Sequence, residues 1–201
     1  MRKINKQTPI ADFDKIKNKA NNWDAITDFE AKRTCTQHIL RDEQEELSAY
    51  TELMIVGKPD LHIDHYIKKG LEQTLTFDWN NLLVDIRDSN FGACFKDNKI
   101  NDLKQYNTIL NPVRDDAQDY FYYALSGKIE VNPELSDADR QKAQNTIDIF
   151  NLQHPTLVGM RESLIKYINN LKEGNCDNET IKTALSNQGF KSVVEQYTNN
   201  M

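Results

Sequence analysis

The residues best suited to chemistry lie in one short segment, where Asp64 and His65 are adjacent and His62 precedes them. A carboxylate is a hard oxygen ligand suited to Mg²⁺ or Mn²⁺. A neutral histidine beside it is a general base near pH 7. Together they predict metal-assisted hydrolysis of a phosphodiester, in which the metal ion stabilises developing charge and the histidine deprotonates water. By itself the dipeptide is a weak signal, because many such pairs are solvated surface residues.

A short strand is predicted to position these side chains. Residues 61–67 alternate in polarity and include β-branched and aromatic side chains. In a strand, His62 and Asp64 share one face and His65 lies on the other, so Asp64 and His65 can face one cavity only if the strand bends or ends there. Residues 77–84 predict either the approach to a second strand or a helical turn, and residues 88–92 predict a loop.

Most of the remaining chain is predicted to be helical. Apolar residues spaced by three or four form one stripe over residues 10–32, and Phe13, Trp23 and Phe29 in it are expected to be core. Residues 37–54 also predict a helix. Further predicted helices cover residues 136–150 with Ser136 as the cap, residues 155–172, and two short pieces of 178–198. The fold class is therefore α+β, mainly α-helical, with a small β-containing insert.

Length, charge and cysteine content narrow the classes of protein. The chain has 201 residues, a net charge of −6 and three cysteines, which excludes a disulfide scaffold and a four-cysteine zinc site. No apolar run could span a membrane, and the residues after Met1 lack the apolar segment of a secretory signal, so we expect a cytoplasmic protein. The acidic balance argues against a protein that grips nucleic acid alone, and with no recognisable helix-turn-helix it disfavours a DNA-binding regulator.

Three motifs carry a resemblance to a known family. HIDHYIKK at 62–69, DWNNLL at 78–83 and CFKDNK at 94–99 resemble the ββα-metal core of HNH endonucleases. More narrowly, the chain resembles the PtuB-type HNH proteins of Septu and retron-associated anti-phage systems, over roughly residues 1–170. The resemblance implies three regions packed as one domain: an N-terminal helical region at 1–60 that could dock a partner, the HNH core at 61–105, and a C-terminal helical region at 106–201.

The resemblance also implies roles for individual residues. His65 matches the general base of the family, Asp64 matches the metal ligand before it, and Asn81 matches the asparagine that braces the loop holding the base. One Mg²⁺ or Mn²⁺ ion is expected at this site. Nothing in these motifs separates a DNA substrate from an RNA substrate.

The third motif position, a metal ligand near the start of the α element, stays open. Asn90 has the spacing of compact HNH motifs, whereas Asn98 follows the cysteine-to-lysine context. Asp97 beside Asn98 and His62 in the strand are possible accessory residues. Lys96 and Lys99 form a modest basic cluster next to the motif. They are predicted either to contact phosphate or to be part of a solvated face.

One departure from the family concerns structural zinc. Ser48 and Thr51 stand where many relatives have a Cys-x-x-Cys pair, and Ile86 and Ser89 stand where a second pair could be. Hydroxyl groups do not replace thiolates on zinc. We therefore expect no structural zinc, and we expect the insert to be held by hydrophobic packing, which would involve the following residues: Phe77, Trp79, Leu82 and Leu83.

The family resemblance implies protein partners. These are an ABC or SMC-like ATPase of the PtuA type and, in retron-associated versions, a reverse transcriptase with its msDNA. The chain would then be the metal-dependent nuclease effector of an anti-phage complex, and the ATPase would supply the cationic groove that an acidic subunit lacks. The alternative is a catalytically decayed HNH-like scaffold that binds and regulates the ATPase, which the missing thiols favour.

Overall fold

A computed structural model describes residues 1–199 and shows a mainly helical chain with two small antiparallel sheets. The predicted α+β, mainly α-helical class is confirmed. The helices are α1 Ala11–Lys19, α2 Phe29–His38, α3 Gly92–Lys99, α4 Asp137–Ile149, α5 Pro155–Glu173, α6 Asn178–Ala184 and α7 Lys191–Thr198. The strands are β1 Leu61–His65, β2 Leu82–Ile86, β3 Phe121–Tyr123 and β4 Ile129–Val131. Within the described residues, no helix has both the length and the apolar character needed to cross a membrane.

Strands β1 and β2 form the sheet that carries the predicted site. They pair antiparallel, with Asp64 opposite Leu83 and His65 opposite Leu82. A 3₁₀ turn over Trp79–Asn81 leads into β2, and helix α3 follows and packs against β2. The order of elements around the site is therefore ββα, with β1 ending at His65.

The β1–β2 sheet lies between two hydrophobic cores. Leu83 belongs to a core shared with the C-terminal helices, whereas its neighbours Leu82 and Val84 belong to a core shared with α1 and α2. Successive side chains of a strand point to opposite faces, so burial on both faces accounts for the unbroken apolar run at the start of β2. The first core contains residues from all three regions implied by the resemblance, including Ile4, Tyr50, Tyr66, Phe150 and Leu157.

The helix predicted over residues 37–54 is wrong beyond residue 43. Helix α2 ends at His38, one π-helical turn covers Ile39–Glu43, and the chain then leaves the helical path. The Gln44 side-chain amide donates to the Val84 carbonyl oxygen at 2.8 Å and accepts from the Val84 amide at 2.7 Å. Gln44 thus extends the hydrogen bonding of β2 along its edge, and this tertiary contact outweighs the helical propensity of the segment.

The apolar stripe over residues 10–32 is interrupted rather than continuous. Helix α1 ends at Lys19, and α2 begins anew at Phe29 after Asp28, whose carboxylate accepts from the Ala31 amide at 3.1 Å. Because the two helices are separate, the spacing of three or four no longer places the residues of α1 and α2 on one continuous face. Phe13 and Trp23 are buried as predicted, whereas the prediction for Phe29 is wrong, because this side chain is 74% exposed.

The predictions for the second half are closer to the structure. Ser136 caps α4 by accepting from the Asp139 amide, α5 begins at Pro155, and two short helices occupy residues 178–198. The β3–β4 hairpin was not predicted, because its strands have only three residues each. So short a strand leaves almost no alternating pattern to detect.

Candidate functional site

A cavity of about 580 Å³ lies between helix α2 and the β1–β2 sheet. Its lining includes His62, Asp64 and His65 of β1 and Asp97 of α3. Because β1 ends at His65, Asp64 and His65 both reach this cavity, which is the condition that the sequence prediction set. The remaining lining residues are Trp23, Asp24, Phe29, Lys32, Arg33, Thr36, Leu61, Ile63, Lys69 and Arg87.

The His65 ring is held in one tautomer by its surroundings. Its Nε2 atom lies 3.0 Å from the Thr76 carbonyl oxygen, which can only accept, so Nε2 carries the proton and Nδ1 keeps a free lone pair. The Trp23 ring packs edge-on at a centroid distance of 5.0 Å. Burial lowers the pKa of His65 from its usual 6.5, so the ring is neutral at pH 7 and can accept a proton.

Asn81 braces the loop that supplies the partner of His65. Its Oδ1 accepts from the Ile67 amide at 2.8 Å, and its Nδ2 donates to the carbonyl oxygens of Ile67 at 3.0 Å and Leu75 at 3.2 Å. These bonds fix both ends of the loop from Ile67 to Leu75, which leads directly into Thr76. Asn81 does not line the cavity, so its geometry is that of a brace rather than of a metal ligand, and its part in catalysis stays a prediction.

Asp64 is buried and paired with a lysine. Its Oδ2 accepts from the Lys96 ammonium at 2.8 Å and from the Tyr50 hydroxyl. Burial alone would raise the pKa of Asp64, but the Lys96 ammonium and the Tyr50 hydroxyl outweigh burial and hold the pKa below 3.8. Burial likewise raises the pKa of Tyr50 well above its usual 10, so that the hydroxyl keeps the proton it donates.

The prediction that Lys96 contacts nucleic acid is wrong. Its side chain is fully buried, and besides Asp64 its Nζ donates to the carbonyl oxygens of His65 and Tyr66, each at 3.0 Å. Burial lowers the pKa of Lys96, but Asp64 and Asp97 outweigh it and leave the pKa raised, so the ammonium stays charged. Lys96 therefore fixes the backbone that carries His65.

The structure distinguishes among the candidates for the third motif position. Asp97 lines the cavity, whereas Asn90 and Asn98 are exposed and lie outside its lining. The Nδ2 atom of Asn90 is instead bonded to Asp88 Oδ1 at 2.9 Å. Lys99 is exposed at the end of α3 and likewise does not line the cavity, so its predicted contact with phosphate stays a prediction.

Two buried polar atoms in the cavity lack hydrogen bonds. These are Nδ1 of His62 and Oδ1 of Asp97. Burial lowers the pKa of His62 and raises that of Asp97, although Lys96, whose Nζ is 3.2 Å from Asp97 Oδ1, opposes the rise. Both residues were identified from the sequence as accessory candidates.

The donor set does not fit a preformed divalent-metal centre. Among residues 1–199 no three His, Cys, Asp or Glu side chains form a group that could hold a metal ion. Asp64 and Asp97 instead face the same Lys96 ammonium, which offsets one of their two negative charges and lies beside the oxygen atoms that a cation would need. The Mg²⁺ or Mn²⁺ ion that the resemblance implies therefore stays a prediction.

A buried hydrogen-bond network occupies the place where the family would have thiolates. The Thr51 hydroxyl donates to Ser48 Oγ at 2.8 Å, and Ser48 in turn is bonded to the Asp85 carboxylate. Asp85 also accepts from the amides of Ala93 at 2.8 Å and Ile86 at 2.9 Å. The expected hydrophobic packing is present as well: Trp79, Leu82 and Leu83 are buried, and Phe77 is partly buried against the core that contains Trp79 and Leu82.

Asp85 is a structural residue that the sequence interpretation missed. Burial raises its pKa from 3.8 to about 6, although Ser48 and the two amides oppose the rise. At Gly92, where φ is +71°, a Cβ atom would lie 2.6 Å from Asp85 Oδ2, so glycine permits the close approach of α3. The available signal was a carboxylate inside the apolar run 82–86, which a buried strand tolerates only with partners.

The comparisons with known proteins add no relative. No protein-family model matches this chain, and no curated protein is significantly similar to it. The resemblance to HNH endonucleases therefore rests on the three sequence motifs alone.

Proposed function

We propose that this chain hydrolyses phosphodiester bonds in DNA or RNA, with His65 as the general base. The observation that supports this function is the fixed His65 ring, whose Nε2 is bonded to the Thr76 carbonyl oxygen while its unprotonated Nδ1 accepts no hydrogen bond from residues 1–199. A base in this state at pH 7, at the wall of a cavity with cationic side chains, suits the activation of a water molecule against a phosphate.

The surrounding residues act by positioning His65. Asn81 fixes the loop that carries the Thr76 carbonyl group, and Lys96 fixes the His65 backbone through its carbonyl oxygen. Asp64 keeps the Lys96 ammonium in place. In the proposed reaction, His65 takes the proton of water as the water oxygen attacks phosphorus, the bond to the leaving oxygen breaks, and that oxygen takes up a proton from solvent while His65 later releases its own. The implied Mg²⁺ or Mn²⁺ ion is a separate proposal, and no step described here depends on it.

The biological setting of the proposal comes from the family resemblance. We place the chain in the cytoplasm as the effector subunit of an anti-phage complex with an ABC or SMC-like ATPase of the PtuA type. In the retron-associated form, a reverse transcriptase with its msDNA would join the complex. The net charge of −6 supports a partner that provides the main cationic surface for nucleic acid.

The second candidate function is a catalytically decayed scaffold that binds and regulates the ATPase. The observation that favours it is the Lys96 ammonium between Asp64 and Asp97, in a site without a group of metal-ligating side chains in the described part of the chain. A site kept only for structure would retain such a pair because it joins α3 to β1.

Expression with the genomic neighbours separates the two candidates. Wild type and His65→Ala would be induced or challenged with phage in parallel, and total DNA and total RNA would be resolved on gels. Fragmentation of one pool in the wild type alone supports the nuclease and identifies its substrate. Intact pools in an assembled and triggered complex would support the scaffold and contradict the proposed hydrolysis.

A further inference from the structure

The lining of the cavity includes an aromatic residue that is largely exposed to solvent. Phe29, the first residue of α2, is 74% exposed, the highest value among the large hydrophobic side chains of the described residues. It lines the same cavity as His65. A single exposed aromatic ring is common on protein surfaces, so Phe29 is informative here because it lines the cavity that holds His65 and several cationic side chains.

Two cations of this cavity lack acidic partners. Lys32 of α2 and Arg87, which follows β2, form no ion pair within residues 1–199, whereas Arg33 is paired with Glu30 and Lys69 with Asp24. The Lys32 Nζ lies 5.1 Å from the centre of the Trp23 ring. The ring of Trp23 in turn packs on His65.

The two unpaired cations also influence each other. Burial lowers the pKa of Lys32, and the charges of Lys69 and Arg87 lower it further, although Asp24 opposes them. The carboxylate of Asp24 is already paired with Lys69, and like charges held close together are stabilised by a bound anion. They lie in a protein whose net charge is −6, so this basic group is a local feature rather than a general property of the surface.

We infer that this face binds single-stranded nucleic acid, with Lys32 and Arg87 on the backbone phosphate next to His65 and Phe29 stacked on an unpaired base. The inference rests on the proposed function and specifies its substrate class. It also makes α2 a wall of the substrate site rather than only a docking surface for a partner.

The shape of the cavity favours a single strand over a duplex. His65 and Asp64 are 7% and 4% exposed, so a phosphate must enter the cavity to reach them. A volume of about 580 Å³ is in the range of small-ligand pockets, which suits a flexible strand better than a rigid double helix. Base stacking on an exposed aromatic ring also requires a base that is not already stacked in a duplex, and it tolerates any base identity.

The test is a binding measurement on the full chain with His65→Ala, so that no substrate is consumed. Fluorescence anisotropy would follow a short labelled oligonucleotide as a single strand of DNA, a single strand of RNA and a DNA duplex of the same sequence. Phe29→Ala is compared with Phe29→Trp, which keeps the stacking surface. Tyr167→Ala is the matched control, because Tyr167 is an aromatic residue that is 51% exposed and lies outside this cavity.

We expect tighter binding of single strands than of the duplex. Phe29→Ala should weaken single-strand binding by about tenfold, while Phe29→Trp and Tyr167→Ala bind like the parent. Arg87→Ala and Lys32→Ala should each reduce the slope of log affinity against log salt by about 0.7, the value for one phosphate contact on a single strand.

Equal affinity for duplex and single strand, unchanged binding by Phe29→Ala, or no binding of any oligonucleotide would each overturn the inference. The results that would contradict the proposed function differ from the results that would contradict this inference. Binding that depends on Phe29, without cleavage by the His65-containing protein, would contradict hydrolysis and retain the surface. Cleavage that is indifferent to Phe29 would retain hydrolysis and reject the surface.

Discussion

The Lys96 ammonium lies 2.8 Å from Oδ2 of Asp64, and neither side chain is more than 3% exposed. This pair joins helix α3 to strand β1 directly beside His65. Tyr50 supplies a further hydrogen bond to the same carboxylate oxygen. The charge of Asp64 is therefore balanced by the chain itself, and the position of the base depends on a buried ion pair.

Removing the ammonium should destabilise the fold. Lys96→Met leaves Asp64 buried without a counter-charge, which costs roughly 3–5 kcal/mol of unfolding free energy. The double substitution with Asp64→Asn should recover part of this loss, because residue 64 then carries no charge. Urea denaturation measures both. Lys99→Met, an exposed lysine on the same helix, is the control and should change stability by less than about 0.5 kcal/mol. A Lys96→Met protein as stable as this control would show that the pair contributes nothing.

Asp85 should make stability depend on pH. Its pKa is 3.8 when unperturbed and about 6 in the folded chain, so between these values the folded state holds a proton that the unfolded chain has lost. Stability from this group is thus fully present below pH 3.8 and declines as the pH rises through about 6. Relative to Asp85→Asn, wild type should lose up to roughly 3 kcal/mol of unfolding free energy between about pH 4 and 7.

Urea unfolding of wild type and Asp85→Asn across this pH range measures the difference. Using the difference cancels the titration of the other groups, including the two cavity histidines. A difference that stays constant with pH, or that favours the wild type as pH rises, would show that Asp85 is not held in a raised-pKa state.

The brace formed by Asn81 should be needed for both stability and cleavage. Asn81→Ala removes three hydrogen bonds at the loop that holds the Thr76 carbonyl group, which should cost about 2 kcal/mol of unfolding free energy. Cleavage should fall as well, because the His65 ring loses its fixed partner. The neighbouring exposed Asn80 offers the control, since Asn80→Ala should change neither quantity. Equal effects of the two substitutions, measured by denaturation and by cleavage rate, would contradict the brace.

The sequence predicts the elements around the site correctly where the residue types and the periodicity of a strand or helix indicate the same structure. The strand predicted at 61–67, which the structure shows at 61–65, and the helices after Pro155 follow from alternation, capping residues and proline. Lys96 shows the limit of this reasoning. A lysine near the end of a short helix is expected in solvent, and only the tertiary position of α3 reveals its buried partner.

Other errors come from interactions between distant segments. Gln44 leaves the helical path because its amide pairs with Val84, forty residues away, and no local pattern contains this information. Phe29 is exposed because a new helix begins after Asp28, and its buried face does not continue the face of α1. Asp85 is buried through contacts with Ser48 and Ala93, which lie on either side of it in the sequence.

The most direct measurement of the central claim is cleavage of labelled single-stranded DNA and RNA by the purified chain, assembled with its co-expressed partners, in wild type, His65→Ala and His154→Ser. His154 lies outside the cavity at the start of α5, and serine keeps a capping side chain there. The proposed function predicts cleavage by wild type and His154→Ser, and a loss of at least about a hundredfold in rate for His65→Ala. Equal cleavage by all three proteins would contradict His65 as the base, and no cleavage by the assembled wild type would contradict the hydrolase.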